Sequence, residues 1–316
     1  MSTVEQTVPR RLGADDLEAP PLSIGQMAWL RFRRHKMAMI GAVMLLLLFL
    51  FSFGGVLFVD ESYANFTDTK IRLEAPSAEH PFGTDTVGRD ILARAVYGGQ
   101  ISLLIGLAAV IVTVFVGIFV GALSGYFGGW LDGVLMRLTE AVISIPRIFL
   151  LLVMAKFFGG QIPDLELAGR TFSGSVIVII LIIGLTSWMS LARIVRAEFL
   201  SLKENEFVLA ARATGTATWQ IIFRHILPNT IAPIVVAATL GVAGAIISES
   251  YISFLGLGVQ PPTATWGNML DGAYNYIEQA PWLWIFPGLF ILLTVLSINF
   301  VGDGLRDALD PRSRPM

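Results

Sequence analysis

The 316-residue sequence is 54% hydrophobic and only 15% charged, and its mean hydropathy is +0.70. This composition excludes an ordinary soluble enzyme and is typical of an integral membrane protein. The formal net charge of −2 gives no support to nucleic-acid binding, and the lack of cysteine excludes disulfides and thiolate metal sites.

The N-terminal residues divide into a polar tail and a basic amphipathic stretch. Residues 1–23 contain Pro9, Pro20 and Pro21 beside an acidic cluster, and they predict a disordered tail. Residues 24–36 carry aromatic side chains beside arginine and lysine, which favours contact with an anionic membrane surface. A nucleic-acid contact is the alternative for this basic run, but no nucleic-acid partner is expected.

Six hydrophobic stretches predict membrane spans: residues 37–59, 101–123, about 141–158, 176–192, 230–247 and 283–301. The first is uncharged and about 34 Å long as a helix at roughly 1.5 Å per residue, too long and too late for an ordinary cleaved signal peptide. With the N-terminus inside, fifteen of the 22 lysines and arginines fall in cytoplasmic segments and six in outer segments. The sequence therefore predicts an all-α membrane protein with six transmembrane helices and both termini in the cytoplasm.

The first outer segment, residues 60–100, is acidic. Near its end, the glycines at 83 and 88 predict a turn, and a short interfacial helix with solvated charges follows before the second span. After the fifth span, glycines and prolines in residues 249–270 predict an irregular outer loop. Trp266, Trp282 and Trp284 lie where an aromatic belt is expected.

The second and third spans carry residues that are unusual in lipid. Gly117, Gly121 and Gly125 recur at four-residue spacing, which predicts close helix packing. Arg147 in the third span costs about 2.5–3.5 kcal/mol on translocon scales unless it faces protein or water. We expect it to contact a partner, Glu140 or the translocation pathway, and snorkelling toward the membrane surface is the equal alternative.

Residues 206–229, here called the elbow, predict two short amphipathic helices joined at Gly215. One face of the first helix recurs at helical spacing: Phe207, Ala210, Ala211 and Thr214. The same spacing restarts after the glycine: Trp219, Ile222, Phe223 and Ile226. Pro228 is expected to end the second helix. A narrow face of small residues suits docking against another protein, whereas a connector lying on the membrane surface is the alternative.

The elbow resembles the cytoplasmic loop of the permease subunits of bacterial ABC importers. That loop carries E-A-A, three residues, G, nine residues and I-x-L-P; here Ala210-Ala211, Gly215 and Leu227-Pro228 stand at the family's spacing. Leu209 replaces the glutamate, and His225 replaces the isoleucine. Residues 82–99, 249–270 and 302–312 resemble the second permease subunit of dipeptide and oligopeptide importers. The resemblance covers residues from about 24 to 312.

The resemblance implies a type I ABC importer permease fold in the bacterial cytoplasmic (inner) membrane. Implied partners are a second homologous permease, one or two cytoplasmic ATPase subunits, an extracytoplasmic substrate-binding protein and membrane lipid. ATP and Mg are bound by the ATPases, and no cofactor or metal is expected on this chain. Transport would proceed by alternating access. The expected ATPase-coupling residues are Glu206, Phe207, Leu209, Ala210, Ala211, Arg212 and Gly215.

Three charged residues are candidates for the pathway or a subunit interface: Arg147, Glu249 and Asp271. Either carboxylate is a hypothetical contact for a peptide amino terminus. The predicted division of the chain is a disordered cytoplasmic tail (1–23), an amphipathic helix and first transmembrane helix (24–60), and an extracytoplasmic segment (61–100). A five-helix core (101–303) with a coupling loop at about 196–228 and a cytoplasmic tail (304–316) complete it.

The sequence leaves several alternatives to peptide import. Permeases of the same branch import nickel, glutathione or antimicrobial peptides, and no outer-facing residue decides among these substrates. A stand-alone secondary transporter or channel predicts paired ionisable residues within the spans, and a regulatory membrane subunit predicts no change in flux on deletion. The sequence has no nucleotide-binding P-loop, its three histidines are scattered, and Ser124 has no histidine base within a span. No catalytic residue is therefore expected.

Overall fold

The computed structural model describes residues 23–310 apart from 168 and 169. Within that range the chain is helical except for one short hairpin, in which β1 (Leu165–Leu167) pairs antiparallel with β2 (Arg170–Phe172). Among these described residues, four helices are long and apolar enough to cross a membrane, and the number of candidate spans rises to six if each of two bent helix pairs counts as one. All of the predicted tail except Ser23 lies outside the described residues.

The first candidate span is preceded by a separate short helix. Ser23 and Gln26 cap α1 (Ile24–Arg34) with a reciprocal capping box. His35 ends α1 and caps α2 (Lys36–Phe49), because its Nδ1 accepts a hydrogen bond from the Ala38 amide at 3.0 Å. A π turn and a 3₁₀ turn continue α2 to Leu57. The predicted amphipathic stretch and first span are both present.

The second candidate span is longer than the sequence predicts. After α3 (Glu61–Asn65) and a 3₁₀ turn, α4 runs without a break over Ile91–Phe127. The short interfacial helix and the span from residue 101 are thus one helix, and the predicted boundary at residue 100 lies inside it. The first turns of α4 are buried, since Trp266 donates from Nε1 to the Ala95 carbonyl at 2.9 Å. Gly83 and Gly88 have positive φ, which confirms the predicted turn.

The predicted third span is not one straight helix. It is divided between α5 (Gly129–Ile143) and α6 (Arg147–Phe158), which meet at 86°. Pro146 lies at the break and lacks the amide that would continue the helix. The 12 residues of α6 extend about 18 Å, less than the hydrocarbon thickness of about 30 Å.

The predicted fourth span is also bent. It comprises α7 (Ser175–Leu185) and α8 (Trp188–Leu202), which meet at 40°. At the break, the Thr186 hydroxyl donates to the Ile182 carbonyl at 2.6 Å and the Ser187 hydroxyl donates to the Ile183 carbonyl at 2.5 Å. Such bonds from hydroxyls back to the preceding turn favour helix bending.

The elbow begins with α9 (Glu206–Ala213) and then joins the fifth span directly. The segment α10 (Thr218–Gln220), a π turn (Ile221–Ile226), a 3₁₀ turn (Leu227–Thr230) and α11 (Ile231–Phe254) form one continuous helical rod. The prediction that Pro228 ends a helix is therefore wrong. Pro228 occupies the start of the 3₁₀ turn, where a missing amide is tolerated, and the change of helix type absorbs its ring.

The last helix, α12 (Trp282–Leu309), extends past the predicted end of the span at residue 301 and into the predicted tail that begins at residue 304. Before it, the outer loop contains 3₁₀ turns at Asn268–Leu270 and Ala273–Tyr276. Trp266 does not belong to an aromatic belt, because its side chain is fully buried and its ring stacks on Phe290 at 5.4 Å. Trp284 is 43% exposed.

The core of the bundle is organised around α4. Its predicted glycine stripe packs on α8: a Cβ at Gly117 would lie 2.9 Å from Leu191 Cδ2. A Cβ at Gly121 would lie 2.5 Å from the Ala192 carbonyl oxygen. Close helix packing at these glycines is confirmed, and no larger side chain fits without moving α8.

Candidate functional site

The elbow turns on Gly215, which closes the C-terminus of α9. Its φ is +76°, a conformation that glycine adopts without strain. The Gly215 amide donates to the Arg212 carbonyl at 3.0 Å, and the Thr216 amide donates to the Ala211 carbonyl at 3.0 Å. These two bonds form a Schellman motif, so that the last carbonyls of α9 are satisfied and the direction of the chain is fixed.

The two sides of α9 have different surroundings. Val208 is fully buried, and Ala211 is 9% exposed. Phe207 and Leu209 are 41% and 46% exposed, and Ala210 is exposed with them. The expected docking face therefore needs a correction, since Ala211 faces the interior. Glu206, Arg212 and Gly215 remain accessible.

The inner side of α9 is fixed to the membrane helices by an apolar cluster. Val208 and Ala211 pack there with the ends of α4 and α8 and with the start of the rod that includes α11. The buried members that surround them are Ala122, Leu191, Val195, Phe199, Ile221, Ile222, Ile226 and Ile234. Arg212 adds a cation–π contact, with its guanidinium carbon 5.3 Å from the centre of the Tyr126 ring. The elbow is thus an integral part of the bundle.

A polar network at the same end joins α5 to α8. Asp132 binds Arg196 through two parallel hydrogen bonds of 2.5 and 2.6 Å, and the Ser124 hydroxyl donates to the same carboxylate. Lys203 Nζ donates to the Gly125 carbonyl at 3.2 Å. The Asp132–Arg196 pair could not be predicted from the sequence, because 64 residues separate the partners and neither lies in a motif. Two-pronged pairs of this kind are strong and directional.

Arg147 lies where three spans meet. It begins α6 immediately after the 86° break, and its Nη2 donates to the hydroxyls of Ser187 at 2.9 Å and Ser248 at 3.0 Å. Ser187 is at the break between α7 and α8, and Ser248 is on α11. Glu140, one predicted partner, instead binds Arg137 at 3.1 Å. Arg147 therefore connects both bent spans to the fifth span.

Two cavities adjoin Arg147. The first has a volume of about 310 Å³ and is lined also by Thr113, Ser187 and Gly244, whereas the second, of about 250 Å³, lies against the break beside Pro146. Arg147 is the only charged side chain that the described residues contribute to either cavity. The site is consequently a cationic point in otherwise weakly polar surroundings.

The other two pathway candidates lie away from Arg147. Glu249 is fully buried, and its Oε1 accepts hydrogen bonds from Ser253 and Thr265 at 2.7 Å each. Its carboxyl group fastens the outer loop to α11, and its burial does not support the hypothesis that it contacts a peptide amino terminus. Asp271 is exposed and lines a cavity of about 40 Å³ with Arg89 and Arg94.

Two family models match the sequence that forms these helices and the elbow. The model of the inner membrane component of binding-protein-dependent transport systems matches residues 114–315, a range that contains the elbow and Arg147. The model of the N-terminal transmembrane domain of oligopeptide transport permease C matches residues 23–76. The chain belongs to the family of inner membrane components of binding-protein-dependent transport systems, which are permeases. The predicted family is thereby confirmed.

Relatives of the permease match it over nearly its whole length. The oligopeptide transport system permease protein OppC of Escherichia coli (strain K12) is 43% identical over 303 residues, which are 95% of each chain. A putative peptide permease protein of Brucella suis biovar 1 (strain 1330) is 41% identical over 316 residues, 99% of this chain and 98% of the relative. The dipeptide transport system permease protein DppC of Alkalihalophilus pseudofirmus is 39% identical over 287 residues, 91% of this chain and 90% of the relative.

The permease also shares its fold with a solved transporter. A chain of the methionine ABC transporter MetNI, in an inward-facing conformation, matches with a TM-score of 0.52 and 21% identity. The match covers 69% of this permease and 96% of that chain. The match to MetNI concerns the fold; the family model and the OppC relative make the chain a multi-pass membrane permease subunit of an ABC transporter and not itself an enzyme.

Proposed function

We propose that the permease crosses the bacterial inner membrane six times, with both termini in the cytoplasm. Counting each bent pair as one span gives six. Helix α1 contacts the end of α12, since Phe32 packs with Ala308 and Arg31 Nη1 donates to the Asp310 carbonyl at 3.1 Å. The first and last helical segments therefore meet at the same side of the membrane, which supports an even number of spans. The excess of lysine and arginine in the same segments supports a cytoplasmic position for that end.

We further propose that the permease imports dipeptides or oligopeptides. The relatives named for oligopeptide and dipeptide transport support this substrate class. In the proposed complex, a second homologous permease completes the pathway, and an extracytoplasmic binding protein delivers the peptide to residues 61–100 and to the loop before α12. One or two ATPase subunits bind ATP and Mg and supply the energy.

The main support for the proposal is that the elbow has one exposed side and one buried side. Its exposed side, formed by Phe207, Leu209, Ala210 and Gly215, is available to an ATPase subunit. Its inner side is held by the apolar cluster against α4, α8 and the rod containing α11. Movement of a docked ATPase is therefore transmitted to α11 without an intervening flexible loop. Arg147 joins α11 to both bent spans and lies along the route of that motion.

Uptake by cells that carry the permease with its encoded neighbours tests the function. We expect labelled dipeptides and tripeptides to accumulate in an ATP-dependent manner, and unlabelled peptide to compete with them. Deletion of the permease alone should reduce uptake to background, which excludes a regulatory role. Uptake of nickel without peptide would contradict the proposed substrate, whereas accumulation without any ATPase subunit would contradict the ABC mechanism.

A further inference from the structure

We propose that Arg147 and the cavities beside it bind a carboxylate of the transported molecule, in the first instance the C-terminal carboxylate of a peptide. This inference rests on the proposed peptide transport and adds a position and a chemical basis for recognition. The site lies at the junction of α6, the break between α7 and α8, and α11.

The charge of Arg147 is uncompensated within the described part of the permease. Both bonds from its Nη2 go to neutral hydroxyls. Those hydroxyls donate their own protons elsewhere, Ser187 to the Ile183 carbonyl at 2.5 Å and Ser248 to the Gly244 carbonyl at 2.6 Å. They orient the guanidinium without neutralising it. Arg147 itself is exposed, so this oriented and unneutralised charge is accessible to an anion.

Space for a ligand is present beside the guanidinium. The cavity of about 310 Å³ falls in the range of small-molecule sites, which begins at about 300 Å³. Its α11 wall is lined by small residues, including Gly241 and Gly244. A Cβ added at Gly244 would meet no atom within 4 Å. The openness of this wall leaves room for a peptide backbone next to Arg147.

A carboxylate is the ligand that this chemistry favours. The planar guanidinium matches a carboxylate with two parallel hydrogen bonds, and the match does not depend on peptide side chains. Every linear peptide with an unmodified C-terminus carries this group, so one residue can recognise many sequences. The same charge repels a metal cation such as nickel.

A thiol placed in the cavity provides the test. The chain has no cysteine, and Ser190 is exposed and lines both cavities. We would purify the whole complex with Ser190→Cys and measure the rate of alkylation by N-ethylmaleimide. Trialanine at about ten times its dissociation constant should slow alkylation about tenfold, because the occupied fraction is protected. Trialanine amide, which lacks the carboxylate, should leave the rate unchanged.

Variants at Arg147 and its partners separate binding from a structural role. Arg147→Gln should abolish protection by trialanine, whereas Ser187→Ala combined with Ser248→Ala should retain most of it, since the charge remains. Equal protection by trialanine and its amide would overturn the proposal, and so would a lack of protection by trialanine itself. That comparison needs no Arg147 variant, so it remains decisive if Arg147→Gln does not assemble.

Two further outcomes distinguish related explanations. If Arg147→Gln releases the second permease during purification and trialanine gives no protection, Arg147 pairs with a partner subunit and the proposal is wrong. Failure of the proposed function is scored separately, by the uptake of trialanine in cells with the unaltered permease. Cells that accumulate trialanine while the purified site shows no protection would retain the function and refute the carboxylate site.

Discussion

Replacement of Ala210 by arginine is expected to release the ATPase subunits and to reduce peptide uptake at least about tenfold, while the permease still accumulates in the membrane. Ala210 is on the exposed side of α9. A surface substitution of this kind changes stability by about 0.5 kcal/mol or less. In a docked complex, however, the long side chain and its charge would have to be accommodated against a closely packed partner. Loss of about 1.4 kcal/mol of binding free energy already corresponds to a tenfold weaker complex.

Co-purification of the ATPase with a tagged permease measures the effect of Ala210→Arg. Asn275→Arg is a matched control, because Asn275 is also exposed but lies in the loop after α11, at the opposite end of the rod from the elbow. Ala211→Arg is unsuitable, since Ala211 is buried and the variant would disrupt the apolar cluster itself. If Ala210→Arg retained both the ATPase and normal uptake, the exposed side of α9 would not be the docking surface.

Replacement of Gly121 by valine is expected to remove most of the folded permease. The new Cβ would lie 2.5 Å from the Ala192 carbonyl oxygen and 2.7 Å from Val195 Cβ, so that α4 and α8 must separate. Overpacking of a core typically costs about 1–3 kcal/mol, against a total stability of about 5–15 kcal/mol for a domain. Thermal unfolding of the permease in detergent, together with its amount in membranes, measures the loss.

Gly133→Val provides the control for that substitution. Gly133 is also inside a helix, α5, but a Cβ built there meets no atom within 4 Å. Valine has the higher helix propensity of the two residues, so this variant should accumulate at least as well as the original permease. Equal losses for both variants would show that valine is harmful in these helices regardless of contact, and would contradict the account of α4–α8 packing.

Features that depend on local pattern were predictable from the sequence. The spans follow from hydrophobic runs, and the turn at Gly215 follows from the single glycine between two helical patterns. The close packing at Gly117, Gly121 and Gly125 follows from their spacing, which places them on one side of α4, although the spacing does not identify α8 as the partner. In each case the physical cause lies within a few neighbouring residues.

Features that depend on distant packing were not predictable. Pro228 was expected to end a helix, but π and 3₁₀ turns carry the rod past it. Trp266 was assigned to the membrane surface, but its indole reaches a carbonyl 171 residues away. Glu249 is a candidate for the pathway on sequence alone, yet the loop that returns with Thr265 encloses it. No periodicity in the sequence reports such partners.

In the candidate site, too, the local pattern was predictable from the sequence and the distant contacts were not. Its proposed docking residues come from the motif, and the structure buries one of them, because Ala211 shares the buried side of α9 with Val208. Arg147 is recognisable from the sequence because a charged residue inside a span is energetically costly. Its partners Ser187 and Ser248 are not, because they lie 40 and 101 residues away. A serine in a span is not unusual, so the sequence does not indicate that either serine contacts the guanidinium.

Cross-linking from the elbow tests most directly whether an ATPase docks there. Leu209 is 46% exposed, and Leu209→Cys would place the only cysteine of the chain on the docking face. In membranes from cells that express the full complex, we would attach a benzophenone maleimide to this thiol and irradiate. Tyr274→Cys, at a 60% exposed residue beyond the far end of α11, is the control. The account predicts an adduct containing the ATPase subunit from Leu209→Cys and none from Tyr274→Cys. A labelled Leu209→Cys permease that gives no ATPase adduct, or equal adducts from both positions, would contradict it.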